Sequence, residues 1–312
     1  MKRVAVVFPG QGVQHVGMGS DVIDVPLLRD IDKTVGMGLT ALMRDGPASE
    51  LVRTHCAQPA IVGVSLAYWG VLAEALGDVR PDFVAGHSVG EWAALCAAGA
   101  LDAREAVRIV GTRGKAMHAC VQTVPGAMAA AIGGERDAIA QLCARISVEV
   151  GFVAIANDNE PKQVVVSGVS DAIDAFVAQA KQCGVKRVIP LDVAGPFHTE
   201  RMQPAVVQFA SALHGVVFAP MRTPIVLNCD GCIYTDSDVV LERLVQSIAM
   251  PVLWQQCVQT LAASGVDTVI EVGPASVLAK LVAKIAPHMR TYAVTSVATA
   301  HDVARQWREV CV

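Results

Sequence analysis

Apolar residues along this 312-residue chain come in two alternating textures. Short continuous runs rich in Val, Ile and Ala alternate with longer stretches whose apolar positions recur every three or four residues. The first texture predicts strands covered on both faces, and the second predicts amphipathic helices. Strands are expected at 3–8, 83–86, 127–132, 153–156, 163–167, 188–191, 224–227 and 268–272. Helices are expected at 59–76, 91–98, 103–118, 136–145, 170–183, 201–214, 238–247, 253–264 and 276–285. Such alternation predicts an α/β fold, a mostly parallel sheet covered by helices. Between about 126 and 190 the order becomes strand, helix, strand, strand, helix, strand, the plan of a ferredoxin-like unit. The chain therefore divides into a large subdomain, 1–124 and 192–312, and an inserted small one, 125–191.

Composition narrows the setting. With 53% hydrophobic and only 17% charged residues, the chain reads as a well-buried globule and not as a disordered one. A net charge of −4 and the lack of a basic run exclude the usual footprint of a nucleic-acid binder. The opening apolar run stops at Pro9-Gly10, too short for a signal peptide. No later segment reaches spanning length without a charge, Gly or Pro, so no membrane association is expected. A cytoplasmic location follows from these two readings. Nine cysteines without framework spacing suit a reducing compartment. Cys229-Asp230-Gly231-Cys232 is a lone C-x-x-C with no second pair or nearby histidines, which argues against a metal site.

The chemistry centres on Gly86-His87-Ser88-Val89-Gly90-Glu91, between an expected strand and an expected helix. A serine between two glycines at such a turn is a nucleophile elbow, in which side chains at the flanking positions would clash. Ser88 reads as the nucleophile. His198, delivered by a strand onto the Ala194-Gly195-Pro196-Phe197 loop, leads the eight histidines as its base, because serine needs an imidazole to take its proton. His87 is expected to pack under the turn. The Gly10-Gln11-Gly12 loop after the first strand lacks dinucleotide and P-loop spacing. Taken alone it is a plain glycine turn or half of an oxyanion hole, in which the N–H groups of Gln11 and Val89 would share a substrate oxygen. Arg113 is followed by Gly114 inside a helix, so a packed neighbour or a ligand must approach that face closely. Near a serine nucleophile its guanidinium would hold a carboxylate.

Seven motifs, in order along nearly the whole chain, resemble the malonyl-CoA:acyl-carrier-protein transacylase family. They are Phe8-Pro9-Gly10-Gln11-Gly12, the Gly86 to Glu91 elbow, Arg113-Gly114-Lys115, Gly126-Ala127-Met128-Ala129-Ala130, Asn157-Asp158-Asn159 before Gln163-Val164-Val165-Val166-Ser167-Gly168, Pro196-Phe197-His198, and Glu271-Val272-Gly273-Pro274. The resemblance implies an α/β-hydrolase-like large subdomain and a ping-pong transfer through a Ser88 acyl-enzyme. The acyl donor would be malonyl-CoA and the acceptor the phosphopantetheine thiol of a holo acyl carrier protein, with no bound cofactor or metal. Arg113 would pair with the malonyl carboxylate. Met128, Asn157 and Asn159 would contact substrate, and Phe197 would exclude an α-methyl group, which tilts the expectation toward a discrete polyketide enzyme. Lys186, Arg187, Lys280 and Lys284 would dock the acidic carrier, and the family resemblance suggests a monomer. An acyl hydrolase using the same serine and histidine is the alternative, and an inert carrier-docking subunit is a second. Two departures stand out. Ser247 sits where family members often have a glutamine whose main-chain carbonyl orients the histidine, and residues 20–57 look short, as if the cover over the site were trimmed.

Overall fold

The computed structural model describes residues 3–311. Its larger sheet contains β1 (Arg3–Phe8), β2 (Phe83–Gly86), β7 (Ile225–Val226), β8 (Ile233–Tyr234), β9 (Val266–Val272) and β10 (Arg290–Val294), in the order β10-β9-β1-β2-β7-β8. Neighbours are parallel except in the β7–β8 edge hairpin. Among the described residues, ten helices longer than seven residues surround this sheet and a second one. They are α1 (Thr54–Leu76), α2 (Gly90–Ala97), α3 (Ala103–Thr123), α4 (Arg136–Glu149), α5 (Ser170–Gln179), α6 (Gln203–Ala212), α7 (Ser237–Gln246), α8 (Trp254–Ala263), α9 (Leu278–Ile285) and α10 (Val297–Cys311).

β1 shows why the central strands read as unbroken apolar runs. Val4, Val6 and Phe8 face one core, with residues of α1, α2 and α3, while Ala5 and Val7 face another, with Trp254, Cys257, Leu278 and Val282 of α8 and α9. Both faces of the strand are covered, so alternation is lost. The register pairs Phe8 with Gly86 and Val7 with Glu271. The loops after β1, β2 and β9 consequently emerge at one carboxyl edge, where ligands of open α/β sheets bind.

The second sheet, β3 (Ala127–Gly133), β4 (Val153–Glu160), β5 (Gln163–Gly168) and β6 (Val185–Pro190), is antiparallel in the order β4-β5-β3-β6. This is ferredoxin-like topology, with α4 and α5 as its two helices. Period-2 alternation assigns its faces. Ala129, Ala131, Val164 and Val166 pack under α4 and α5 with Ile139, Leu142 and Phe176, whereas Met128, Ala130 and Val165 turn toward the larger body. The sheet is stitched to that body through the backbone: Val252 N–H donates to Ala156 O at 2.8 Å and Asp158 N–H to Val252 O at 2.9 Å.

Several elements depart from expectation. β8, β10, α10 and four short helices at 26–51 are absent from the expected set. β10 is half-exposed at the sheet edge and lacks the continuous apolar run by which buried strands are recognised. The 20–57 segment is more than a trimmed cover. Leu28, Ile31, Val35, Leu39, Met43 and Leu51 from its short helices are fully or almost fully buried in the main core. α1 is the one described helix long and apolar enough to cross a bilayer, yet it lies mostly inside the protein against α3 and α10. Such a helix is apolar all round because other elements surround it.

The elbow is a tight backbone junction. A Cβ on Gly86 would lie 2.0 Å from the Gly90 carbonyl carbon, and one on Gly90 would lie 2.2 Å from Phe8 O. Gly90→Ala is therefore expected to destabilise by ~3 kcal/mol or more, since the clash is with strand-end backbone that cannot yield. Gly70→Ala on exposed α1 surface meets nothing within 4 Å and is expected to be neutral or stabilising by up to about 1 kcal/mol. Urea denaturation of the two variants checks the contrast.

Candidate active site

Ser88 sits at the elbow with φ 52°, a left-handed conformation that costs a non-glycine residue about 1–2 kcal/mol. Its Oγ lies 2.7 Å from His198 Nε2. His198 also has positive φ, 59°, on the loop after β6. Its Nδ1 lies 3.1 Å from both Ser247 O and Met250 O. Carbonyls only accept, so Nδ1 carries the proton and Nε2 is left bare toward the serine hydroxyl. The departure at position 247 therefore leaves this geometry intact, because the contact uses the main chain. Burial, with Arg113 and His87 nearby, pushes His198 down to about 3, only partly opposed by the two carbonyls. The imidazole is neutral and ready to accept a proton across the neutral pH range.

Arg113 of α3 lies directly behind the serine and is fully buried. Its Nη1 donates to Gln58 Oε1 at 2.8 Å, its Nη2 is 3.5 Å from Ser88 Oγ, and its Nε has no partner among the described residues. Among the described residues no carboxylate lies in ion-pair contact with it. Burial lowers it to about 10, partly offset by the more distant Glu91. The neighbouring glycine is explained by packing: a Cβ on Gly114 would lie 2.9 Å from His55 Cα and 3.0 Å from Thr54 O. A packed helix start, and no ligand, makes that close approach.

Ser88, His198 and Gln58 border a cavity of about 460 Å³, within the usual range for small-molecule sites, and Arg113 lies behind that lining. Gln11, Val89, Met128, Asn157, Asn159 and Phe197 all line it. The N–H groups of Gln11 and Val89 take no acceptor among the described residues, as an oxyanion hole requires. The small sheet supplies the far wall through Met128 of β3 and the two buried asparagines of β4. His87 does not tuck under the turn as expected. It lines the cavity, and its Nε2 lies 2.9 Å from Asn159 Oδ1, joining elbow to small sheet.

The four basic residues do not form one cluster. Lys186 and Arg187 are exposed on edge strand β6, while Lys280 and Lys284 sit on α9, which packs against β4 at the opposite edge of the small sheet. Three strand spacings, ~14 Å, separate those edges. Lys284 Nζ is engaged, 2.8 Å from the buried carboxylate of Glu160.

Gln58 and Glu91 received no role in the sequence analysis. Gln58 holds the guanidinium, and its Nε2 is 3.2 Å from Met117 Sδ, so both ends of its amide are occupied. Glu91 is buried and pushed up to about 8 by burial, while the Asn228 N–H and the charge of Arg113 pull it down. A lone Gln or Glu in an apolar helix carries no signal in sequence that its partners are a guanidinium or a distant backbone N–H.

A serine on a strained strand-to-helix turn, beside a carbonyl-oriented histidine and two open backbone N–H groups, is the apparatus of an α/β enzyme that handles acyl groups. Comparison with known proteins gives the family. The chain belongs to the acyl transferase domain family, whose model matches residues 5–304. It is 38% identical over 300 residues to a Bacillus subtilis malonyl CoA-acyl carrier protein transacylase, covering 95% of this chain and 94% of that one. It is 39% identical over 290 residues to its Escherichia coli counterpart, covering 91% and 93%. Among solved structures, a Vibrio cholerae acyl carrier protein S-malonyltransferase superposes with a TM-score of 0.89 at 37% identity, covering 97% of this chain and 100% of that one. A malonyl-transacylase solved in complex with a type II PKS acyl-carrier protein superposes with a TM-score of 0.92 at 34% identity, covering 98% and 100%.

The elevated Glu91 makes a prediction for stability. Folded Glu91 keeps a proton up to about pH 8, whereas an unfolded glutamate releases it near 4.5. Its contribution is full below 4.5 and is lost as pH rises through 8. His198 acts in a different window, costing stability as pH falls from 6.5 toward 3. Between pH 6.5 and 8.5 the wild type should lose stability, and Glu91→Gln should flatten that loss. Equal slopes in urea midpoints for both proteins would refute the assignment.

Proposed function

We propose that this chain transfers a malonyl group from malonyl-CoA to the phosphopantetheine thiol of a holo acyl carrier protein, in fatty-acid or polyketide synthesis. The observation that carries this reading is the fully buried Arg113, 3.5 Å from Ser88 Oγ and without a carboxylate partner in contact among the described residues. A buried cation without a counter-charge is costly, and an acyl group ending in carboxylate supplies one. A hydrolase of ordinary acyl groups has no use for that cation, and an inert docking subunit has none for the Ser88–His198 pair.

In this reading Ser88 Oγ attacks the thioester carbonyl while His198 Nε2 takes its proton. The oxyanion accepts hydrogen bonds from the N–H groups of Gln11 and Val89. Collapse expels the CoA thiolate, which takes the proton from His198, and leaves a malonyl ester on Ser88. The pantetheine thiol then gives its proton to His198 and attacks the ester, and Ser88 leaves with that proton returned. Arg113, braced by Gln58, holds the carboxylate through both halves. Phe197 fills the space an α-branch would need. Asn157 and Asn159 face the pantetheine arm from the small subdomain, residues 125–191, across a cleft from residues 1–124 and 192–312. Of the docking residues, Lys186 and Arg187 on one edge and Lys280 on the other are free to meet an acidic carrier, and Lys284 contributes less because Glu160 already holds it. The reaction calls for no cofactor, and one copy of the chain contains every group it uses.

Intact-protein mass spectrometry after mixing with malonyl-CoA, then holo carrier, tests this. The expected result is a malonyl adduct on wild type, absent in Ser88→Ala, that passes to the carrier faster than it hydrolyses. An adduct lost to water at the same rate with or without carrier would replace the reading with the hydrolase. Arg113→Ala should slow malonyl transfer by roughly 10²–10³-fold, the rate equivalent of about 3–4 kcal/mol, while sparing or raising acetyl transfer. An unchanged malonyl-over-acetyl ratio would sink the carboxylate clamp.

A further inference from the structure

The residue after β7, Asn228, has 1% of its surface exposed and lies 140 positions from the serine it touches. Its Oδ1 accepts from Ser88 N–H at 2.7 Å, and its Nδ2 donates to Gly86 O at 2.7 Å. Its own backbone N–H donates to Glu91 Oε1 at 2.8 Å. Three hydrogen bonds thus fasten the elbow before, at and after the serine. We propose that Asn228 is a positioning residue that holds Ser88 in its left-handed, reactive conformation.

The argument is one of satisfaction and strain. A turn at φ 52° directs the Ser88 N–H and the Gly86 carbonyl away from any helix or sheet partner, into a buried region behind the elbow. Buried backbone groups need partners, and here one needs an acceptor while the other needs a donor. A carboxamide offers both from a single short side chain. Aspartate keeps only the acceptor, and alanine or leucine keeps neither. The neighbouring strand makes the reach possible, since β7 pairs Ile225 with Val84 and Val226 with Ala85, delivering residue 228 beside the end of β2. The same contact sorts the backbone donors. With Ser88 N–H consumed by Asn228, only Val89 N–H on the elbow remains open toward the cavity. A relaxed elbow would move both Oγ and that N–H out of place.

The inference rests on Ser88 being the nucleophile, so the test separates the two. Single-turnover acylation by malonyl-CoA and labelling by a fluorophosphonate are measured on wild type, Asn228→Ala and Asn228→Asp, with folding checked by circular dichroism. Hydrogen exchange of the peptide spanning the elbow is followed alongside. In Asn228→Ala the acylation rate constant should fall about 10²-fold, the usual cost of an ångström-scale misplacement. Half-saturating malonyl-CoA should stay within about two-fold, since Asn228 acts on Ser88 and not on substrate. Phosphonate labelling should slow in parallel, and exchange should rise in the elbow peptide. Asn228→Asp, which matches the native shape and keeps the Ser88 contact, should fall between; it carries the comparison if alanine yields no folded protein. Folded variants with wild-type acylation and unchanged elbow exchange would overturn the proposal. A change confined to half-saturation would also overturn it. A wild type that forms no adduct would instead fail the proposed reaction, and elbow exchange would then decide on Asn228 alone.

Discussion

The close approach of the elbow to the end of β1 is the constraint on which the rest of this structure depends. Gly90 sits so near Phe8 O that a Cβ would come within 2.2 Å of it, and Gly10 sits so near His87 O that a Cβ would come within 2.6 Å. Side chains at these places would push the first helix after the serine off the sheet. With hydrogen in their place, α2 begins directly over the strand ends. Ser88 then stands beside the Gln11 loop, and Arg113 on the next helix comes up from behind.

Burial gives this cluster its chemical character. His198 is kept neutral by the low-dielectric surroundings and by the positive charge of Arg113. Its orientation comes from two main-chain carbonyls, Ser247 and Met250, in place of a third acidic side chain. The segment that provides them continues to Val252, which hydrogen-bonds to β4 of the small sheet. One stretch of backbone therefore orients His198 and anchors the far wall of the cavity. Arg113 contributes in a second way, as a desolvated cation whose interaction with an anion is far stronger here than in water.

Much of this was legible along the chain. Covered strands announce themselves as apolar runs, so β1, β2 and β9 were found close to their true bounds. The antiparallel small sheet followed from element order alone. The Gly86-x-Ser88-x-Gly90 spacing carried the elbow because glycine there is a steric requirement. What escaped lacked such local marks: β10 is half-exposed, the short helices at 26–51 are below the length at which periodicity shows, and α10 was passed over although Ala300, Val303, Ala304 and Trp307 have helical spacing.

The sequence by itself marked most of the elements, the elbow, and the serine, histidine and arginine as candidates, since each depends on residues a few positions apart or on the order of motifs. Only the tertiary structure decided how they meet. His198 reaches Ser88 across 110 positions, Arg113 finds Gln58 across 55, and Asn228 closes on the elbow across 140. It also turned His87 toward Asn159 and split the basic residues between two edges of a sheet. Such contacts arise from strand order and register, which bring distant loops to one edge of the sheet, and no periodicity within a single segment encodes them.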